Sequence, residues 1–248
     1  MPQIQDQAVC IRSRDYSETS QIVTLFGRQT GKLNAIAKGS RRPKSKFGGG
    51  IDPLTAGEIF FVPSRGESNL ATLTEFELQQ AYPQLRRNLL SLHCSEYIAA
   101  LLAEFTEDCD PHVKLFEALT EALQQLCQTN RPELPLLNFE LILLREIGLA
   151  PVWDRCSSCS RDISSTTNLY FSSQSGGMIC RDCEPAIMEK RLLAPLVLTI
   201  LQNPSQAQMA PRNIVIKAHE LLSYHQRELA GKDSVVTNFV NQLLRKSI

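Results

Sequence analysis

A chain of 248 residues with 43% hydrophobic and 21% charged side chains is long enough to bury a core, which excludes disorder throughout. Its 26 Lys and Arg balance 26 Asp and Glu, so attraction to a polyanion must come from local patches and not from the field of the whole molecule. The sequence opens without a basic, then apolar, leader and contains no run of ~18 apolar residues, so the expectation is a cytoplasmic protein with no membrane association.

The first eighty residues read as strands. "QAVCIRS", "SQIVTLFG", "KLNAIAK", "AGEIFFV" and "NLATLTE" are short, rich in Val, Ile, Phe and Thr, and separated by Gly, Ser, Pro or Asp. Five such strands suit an OB-type barrel spanning residues 1–80. Between the third and fourth lies "AKGSRRPKSKFGGG", residues 37–50, which is expected to project from the barrel and stay out of its core. "GRQTGKL", Gly27 to Leu33, has one residue too few between its glycines for a phosphate-binding loop and no hydroxyl after the Lys. Thr30-Gly31-Lys32 therefore reads as a hairpin turn.

From Leu85 the period changes to that of helices. Leu85, Leu89 and Leu92, then Ile98, Leu101, Leu102 and Phe105, then Leu115, Leu119, Leu123 and Leu126, then Leu137, Leu141, Leu144 and Ile147 mark successive apolar faces. Asp110 with Pro111 is expected to start the second helix, and Gly148 to end the third. Helices resume near Pro185 and after Pro211, where "NIVIKAHELLSYHQREL" is the clearest. This gives a helical domain of residues 81–150 and 188–248, interrupted by an inserted module at 151–187.

That module carries the most specific motif. "CSSC" (Cys156, Cys159) and "CRDC" (Cys180, Cys183) are two Cys-x-x-Cys turns with 20 residues between them, the spacing of a Cys₄ zinc site. The intervening segment is polar, with an apolar strand near Leu169 to Phe171 and a Gly176-Gly177 turn. It resembles two zinc knuckles joined by a hairpin with little core of its own. One Zn²⁺ would hold it together, and structural zinc supplies roughly 10–16 kcal/mol in small modules. Four sulfur ligands leave no open position for water, so the ion is expected to be structural. The competing reading makes one pair a redox-active dithiol. Cys10, Cys94, Cys109 and Cys127 read as small buried hydrophobes.

No catalytic signature emerges. In "HELLSYH" the histidines His219 and His225 are six residues apart and cannot share a helical face as zinc-protease ligands do, so both read as surface or partly buried side chains. No acid occurs between Glu18 and Asp52, whereas Arg28, Lys32, Lys38, Arg41, Arg42, Lys44 and Lys46 accumulate there, with Phe26 and Phe47 as candidate stacking platforms. A barrel presenting cations and an aromatic can track nucleic acid, charge holding phosphates and stacking holding bases. A solvated loop that only confers solubility is the alternative.

Taken together, "AKGSRRPKSKFGGGIDPL" (37–54), "LPLLNFELILLREIGLAP" (134–151) and the CSSC/CRDC pair around a Gly-Gly hairpin resemble the bacterial recombination mediators of the RecO family, in order and over nearly the whole chain. The resemblance implies an α+β protein: an amino-terminal OB barrel, a helical domain and an inserted Cys₄ zinc module. It implies a noncatalytic DNA-repair role in recombination: binding single- and double-stranded DNA, annealing complementary strands and, with RecR, helping to load RecA onto strands coated by single-stranded-DNA-binding protein. Cys156, Cys159, Cys180 and Cys183 would be the zinc ligands. Lys38, Arg41, Arg42, Lys44 and Lys46 would be the main DNA contacts, with Arg28, Lys32 and Phe47 behind them. The acidic, hydrophobic tail of the single-stranded-DNA-binding protein would dock on the helical domain, where Arg86, Arg87 and Lys114 are candidate cations. The location implied is the cytoplasm, at the nucleoid. A zinc-containing adaptor with no direct DNA role is the rival reading, and an OB-fold nucleic-acid enzyme a third.

Overall fold

The alternation read in the first eighty residues produces five strands that close on themselves. In the computed structural model, which describes residues 3–64, 70–163, 169–232 and 235–247, these are β1 (Ile4–Asp15), β2 (Gln21–Gly27), β3 (Gly31–Ala37), β4 (Ala56–Val62) and β5 (Ala71–Gln80). They form a closed barrel in the order β1-β2-β3-β5-β4. β3 and β5 run parallel, with Ala35 opposite Ala71, and the other pairs are antiparallel. This is the OB arrangement. Every second residue of β3 is buried, so Leu33, Ala35 and Ala37 face an interior shared with Val23, Leu25, Ile59, Phe61, Leu73 and Phe76.

The segment between β3 and β4 does more than project. Phe47 and Ile51 are 7% and 1% exposed and belong to the barrel core, so this stretch plugs an open end of the barrel. A closed sheet leaves its two ends uncovered, and apolar residues of a connecting loop are the nearest material to cover one.

The β2–β3 connection is the expected hairpin, and Asp6 locks it. Its carboxylate, 7% exposed, accepts from the backbone N–H groups of Gln29 (3.0 Å) and Thr30 (2.9 Å) and from the Thr30 hydroxyl (2.6 Å). The failed phosphate loop is thus filled by the protein's own anion.

A 3-10 turn at Pro83–Arg87 buries Leu85 and leads into α1 (Leu89–Phe105), whose first turn is capped by Asn88 Oδ1 accepting from Leu90 and Ser91 N–H. The next helix, α2 (Val113–Leu126), begins at His112 and not at Asp110. The Asp110 segment is drawn onto the hairpin instead: Cys109 N–H donates to the Lys32 carbonyl at 2.8 Å, and the Asp110 backbone packs against Gly31 so closely that a Cβ there would meet its carbonyl oxygen at 2.0 Å. That detour leaves Cys109 exposed at φ 58°; Cys127, at the end of α2, is half-buried, whereas Cys10 and Cys94 are core residues as expected.

The chain separates into two compact units, Met1–Thr129 and Asn130–Ile248. The second begins with α3 (Glu133–Glu146), ended by Gly148 at φ 75° with its N–H on the Arg145 carbonyl. A three-stranded antiparallel sheet follows: β6 (Leu169–Ser172), β7 (Gly177–Ile179) and β8 (Arg191–Leu193), in the order β7-β6-β8. Near Pro185 there is only a 3-10 turn, Glu184–Ala186, and then β8. Helices resume at α4 (Pro195–Gln202), α5 (Arg212–Ala230) and α6 (Val235–Lys246).

The inserted module, expected to have little core of its own, shares its core with the helices. Cys156, Ile163, Leu169, Phe171, Met178, Cys180 and Leu193 join one buried cluster with Leu141 and Leu144 of α3, Val197 and Leu201 of α4 and Leu221 and Leu222 of α5. Part of its polar run, residues 164–168, lies outside the described residues. His219 and His225 are interior, at 0% and 2% exposure. His219 Nδ1 meets Glu140 at 2.8 Å. His225 Nε2 lies 3.2 Å from the Leu149 carbonyl, which fixes that nitrogen as the donor. Nδ1 is then an acceptor for the Ser173 hydroxyl at 2.7 Å. Among the described residues, no helix is long and apolar enough to cross a membrane.

Candidate nucleic-acid surface and metal centre

One buried side chain pins the basic loop at both ends. Gln21, 1% exposed at the start of β2, accepts through Oε1 from the Ser40 hydroxyl (2.9 Å) and the Ile51 N–H (2.9 Å). Its Nε2 donates to the Ile51 carbonyl (3.2 Å) and the Ser13 hydroxyl (2.9 Å). Backbone bonds from Arg41 N–H to Thr19 and from Phe76 N–H to Lys46 tie the loop to the β1–β2 connection and to β5. With Phe47 and Ile51 in the barrel, the exposed side chains stand on a fixed base.

Lys38, Arg41, Arg42, Lys44 and Lys46 are all exposed, but the acid-free stretch of sequence is not acid-free in space. Arg41 pairs with Asp15 of β1 at 2.7 Å, Lys46 with Glu75 of β5 at 3.0 Å and Arg28 with Glu117 of α2 at 2.8 Å. Apart from the half-buried Glu75 these groups are solvent-exposed, and such surface pairs are worth ~0–1 kcal/mol, so a phosphate can displace the carboxylate. Lys32 is different. Its side chain is 14% exposed, lies 3.5 Å from Asp108, and donates to the carbonyls of Ala103 (3.1 Å) and Thr106. It ties β3 to the end of α1 and is not offered to a ligand. Among the described residues no carboxylate pairs with Lys38, Arg42 or Lys44.

The aromatic part of the expectation is corrected. Phe26 and Phe47 are 0% and 7% exposed: Phe47 belongs to the barrel core, and Phe26, consecutive with the inward-facing Leu25, is buried on the other face of β2. Tyr16, in the β1–β2 connection that the basic loop is bonded to, is 64% exposed and available for stacking. Arg12 and Arg14, two apart on β1, are exposed as well.

In the second unit the sulfur atoms of Cys156, Cys159, Cys180 and Cys183 all lie within 4.8 Å of one another, with Cys159 and Cys180 at 3.7 Å. Tetrahedral ligands at ~2.3 Å from an ion stand about 3.8 Å apart, so the cluster fits a metal of that geometry. The turns that converge the thiols are held by Ser160 N–H on the Cys156 carbonyl and Glu184 N–H on the Cys180 carbonyl. Burial raises the Cys156 thiol, but N–H groups of Cys180, Cys159 and Ser158 outweigh it and hold the pKa at about 6. For Cys183 a hydrogen bond with Ser158 acts downward, yet those with Cys180 and Cys159 push the thiol up to about 12. Four sulfur donors converging on one point could hold a metal cation, whose charge would draw off the remaining thiol protons.

Comparison with known proteins accords with this arrangement. The family model described as Recombination protein O N terminal matches residues 1–82, and that described as Recombination protein O C terminal matches residues 86–231. The chain belongs to the RecO family. Proteins named DNA repair protein RecO are similar along much of their length. One from Rhodopirellula baltica is 36% identical over 72% of this chain and 66% of its own, and one from Anaeromyxobacter sp. strain K is 32% identical over 81% and 78%. A third, from Desulforamulus reducens, is 34% identical over 75% and 70%.

Within this RecO chain, Tyr16, Arg12 and Arg14 are the surface residues that sequence reasoning missed. Tyr16 had a local signal, an aromatic beside the polar turn "SETS" where no core can receive it. The two arginines lie beyond Ala8 to Ile11, a run buried on both faces, and a register shift between Cys10 and Arg12 interrupts the alternation that would have placed them.

Proposed function

We propose that this RecO chain is a noncatalytic recombination mediator in DNA repair that binds single- and double-stranded DNA through the surface around the β3–β4 loop. The observation that supports it most is the exposure of Lys38, Arg42 and Lys44, without carboxylate partners among the described residues, on a loop immobilised by Gln21. Phosphates take these cations and displace Asp15 and Glu75 from Arg41 and Lys46, while Tyr16 stacks on a base, at about 1–3 kcal/mol per base. Neutralising the backbone offsets the repulsion between two approaching strands, and annealing follows without a covalent step.

In the same reading the Cys₄ cluster holds one structural Zn²⁺. RecR and the tail of single-stranded-DNA-binding protein are the protein partners, and the complex assists RecA loading on coated strands in the cytoplasm, at the nucleoid. Support comes from family membership. Arg86 and Arg87, exposed beside Leu85, stay candidates for the tail. Oligonucleotide annealing, with and without single-stranded-DNA-binding protein, tests the proposal: acceleration in both conditions is expected. Binding of partners with no annealing and no salt-sensitive oligonucleotide binding would establish the adaptor reading instead, and turnover of a nucleotide or nucleic acid would establish an enzyme.

A further inference from the structure

The second unit contains a groove of about 500 Å³ between the C-terminal ends of α3 and α4 and the strand-like segment that leads into the Cys₄ cluster. Its walls are apolar, from Leu141, Leu144, Pro151 and Leu201, and Trp153 lies in it. This tryptophan is the only one in the chain. Its ring stacks on the buried Phe171 with centroids 5.4 Å apart and an interplanar angle of 22°, and its carbonyl accepts from Gln202 Nε2 at 2.9 Å. The indole is therefore fixed before any ligand arrives. Arg145 and Arg155 line the same groove and are exposed, and among the described residues neither pairs with a carboxylate. Asp154 also lines it, leaving one net positive charge.

We infer that this groove is a second single-stranded nucleic-acid site, in which Trp153 stacks on a base and Arg145 and Arg155 hold the flanking phosphates. A pre-ordered flat ring between two guanidinium groups matches the alternation of base and phosphate along a strand. An acidic apolar peptide would also meet the cations. It offers the ring a flat partner only where it carries an aromatic residue, whereas a strand offers one at every nucleotide. A strand held here, apart from the one on the barrel, supplies the second substrate that annealing needs. The inference takes its ligand class from the proposed function, whereas its location stands on the groove alone.

The sole tryptophan makes the test direct. A short dye-labelled thymidine oligonucleotide is titrated into the full chain, with anisotropy reporting total binding and Trp153 fluorescence reporting this groove. Saturable quenching is expected. It should persist when Lys38, Arg42 and Lys44 are changed to Glu, and weaken by about tenfold in Arg145→Glu/Arg155→Glu, both solvent-facing positions whose exchange leaves the core intact. Asp154→Asn should strengthen it. Anisotropy that rises while Trp153 fluorescence stays unmoved, or quenching unaffected by the Arg145/Arg155 exchange, overturns the groove as a strand site and leaves the barrel reading standing. Quenching by an acidic apolar peptide and not by the oligonucleotide overturns it in favour of a peptide site. Absence of any anisotropy change would instead refute the proposed function itself.

Discussion

Gln21 treats Ile51 as a neighbouring strand would: its side-chain amide accepts from the Ile51 N–H at 2.9 Å and donates to the Ile51 carbonyl at 3.2 Å. This reciprocal pair, buried where the basic loop re-enters the barrel, converts a glycine-rich segment into a fixed platform. Replacing the amide by an apolar chain of similar length, Gln21→Met, strands the Ile51 N–H and the Ser40 hydroxyl. The expected loss is about 2–4 kcal/mol in urea unfolding, with faster proteolysis after Arg41 and Lys44 and weaker DNA binding. Unchanged stability and protease resistance would show that Phe47 and Ile51 hold the loop unaided.

Lys32 and Lys44 should separate cleanly. Lys32→Met leaves the carbonyls of Ala103 and Thr106 without their donor, so the barrel unit loses about 1–3 kcal/mol while the salt dependence of DNA binding stays as in the parent. Lys44→Met should do the reverse, leaving stability within about 0.5 kcal/mol and flattening the salt dependence. Thermal melts and oligonucleotide titrations at several salt concentrations read both.

The strands were legible because each is bounded by turn residues and buries alternate side chains, as β3 does throughout. The Cys₄ set was legible because two Cys-x-x-Cys turns need no long-range information. What could not be read were consequences of closure. Phe47 reads as a loop aromatic in sequence, since its burial follows only from the closed barrel's need for a plug. Asp15, Glu75 and Glu117 lie 26, 29 and 89 residues from the cations they neutralise. Likewise His225 is interior only because β6 and the chain after α3 pack over α5.

Metal removal should loosen the module without melting the unit. Purified protein should carry one zinc per chain. Treatment with a chelator and a thiol reagent should lower the unfolding temperature while most helical circular dichroism persists, because Phe171, Met178 and Leu193 remain bedded against α3, α4 and α5. Freely reactive thiols with no bound metal would restore the redox-dithiol reading.

His225 gives a pH signature. Burial holds its imidazole below the ordinary value of 6.5, against the upward pull of the Leu149 carbonyl and the Glu189 carboxylate. The unfolded chain then binds more protons than the native one, so this contribution is complete above about pH 6.5 and is lost as pH falls through the depressed native pKa. The urea midpoint should drop between about pH 7 and 5 more steeply in the parent than in His225→Gln, which retains an amide for Ser173 and Leu149. Parallel curves would place the proton elsewhere.

At the centre of the proposed function, a rigid loop grips nucleic-acid phosphates with Lys38, Arg42 and Lys44. The most direct test is the slope of log affinity against log salt for a single-stranded oligonucleotide, measured for the parent and for the triple exchange to Gln. The slope should become shallower by about 2, at roughly 0.7 for each phosphate that is no longer neutralised. An identical slope in the two proteins would contradict a phosphate grip by this loop.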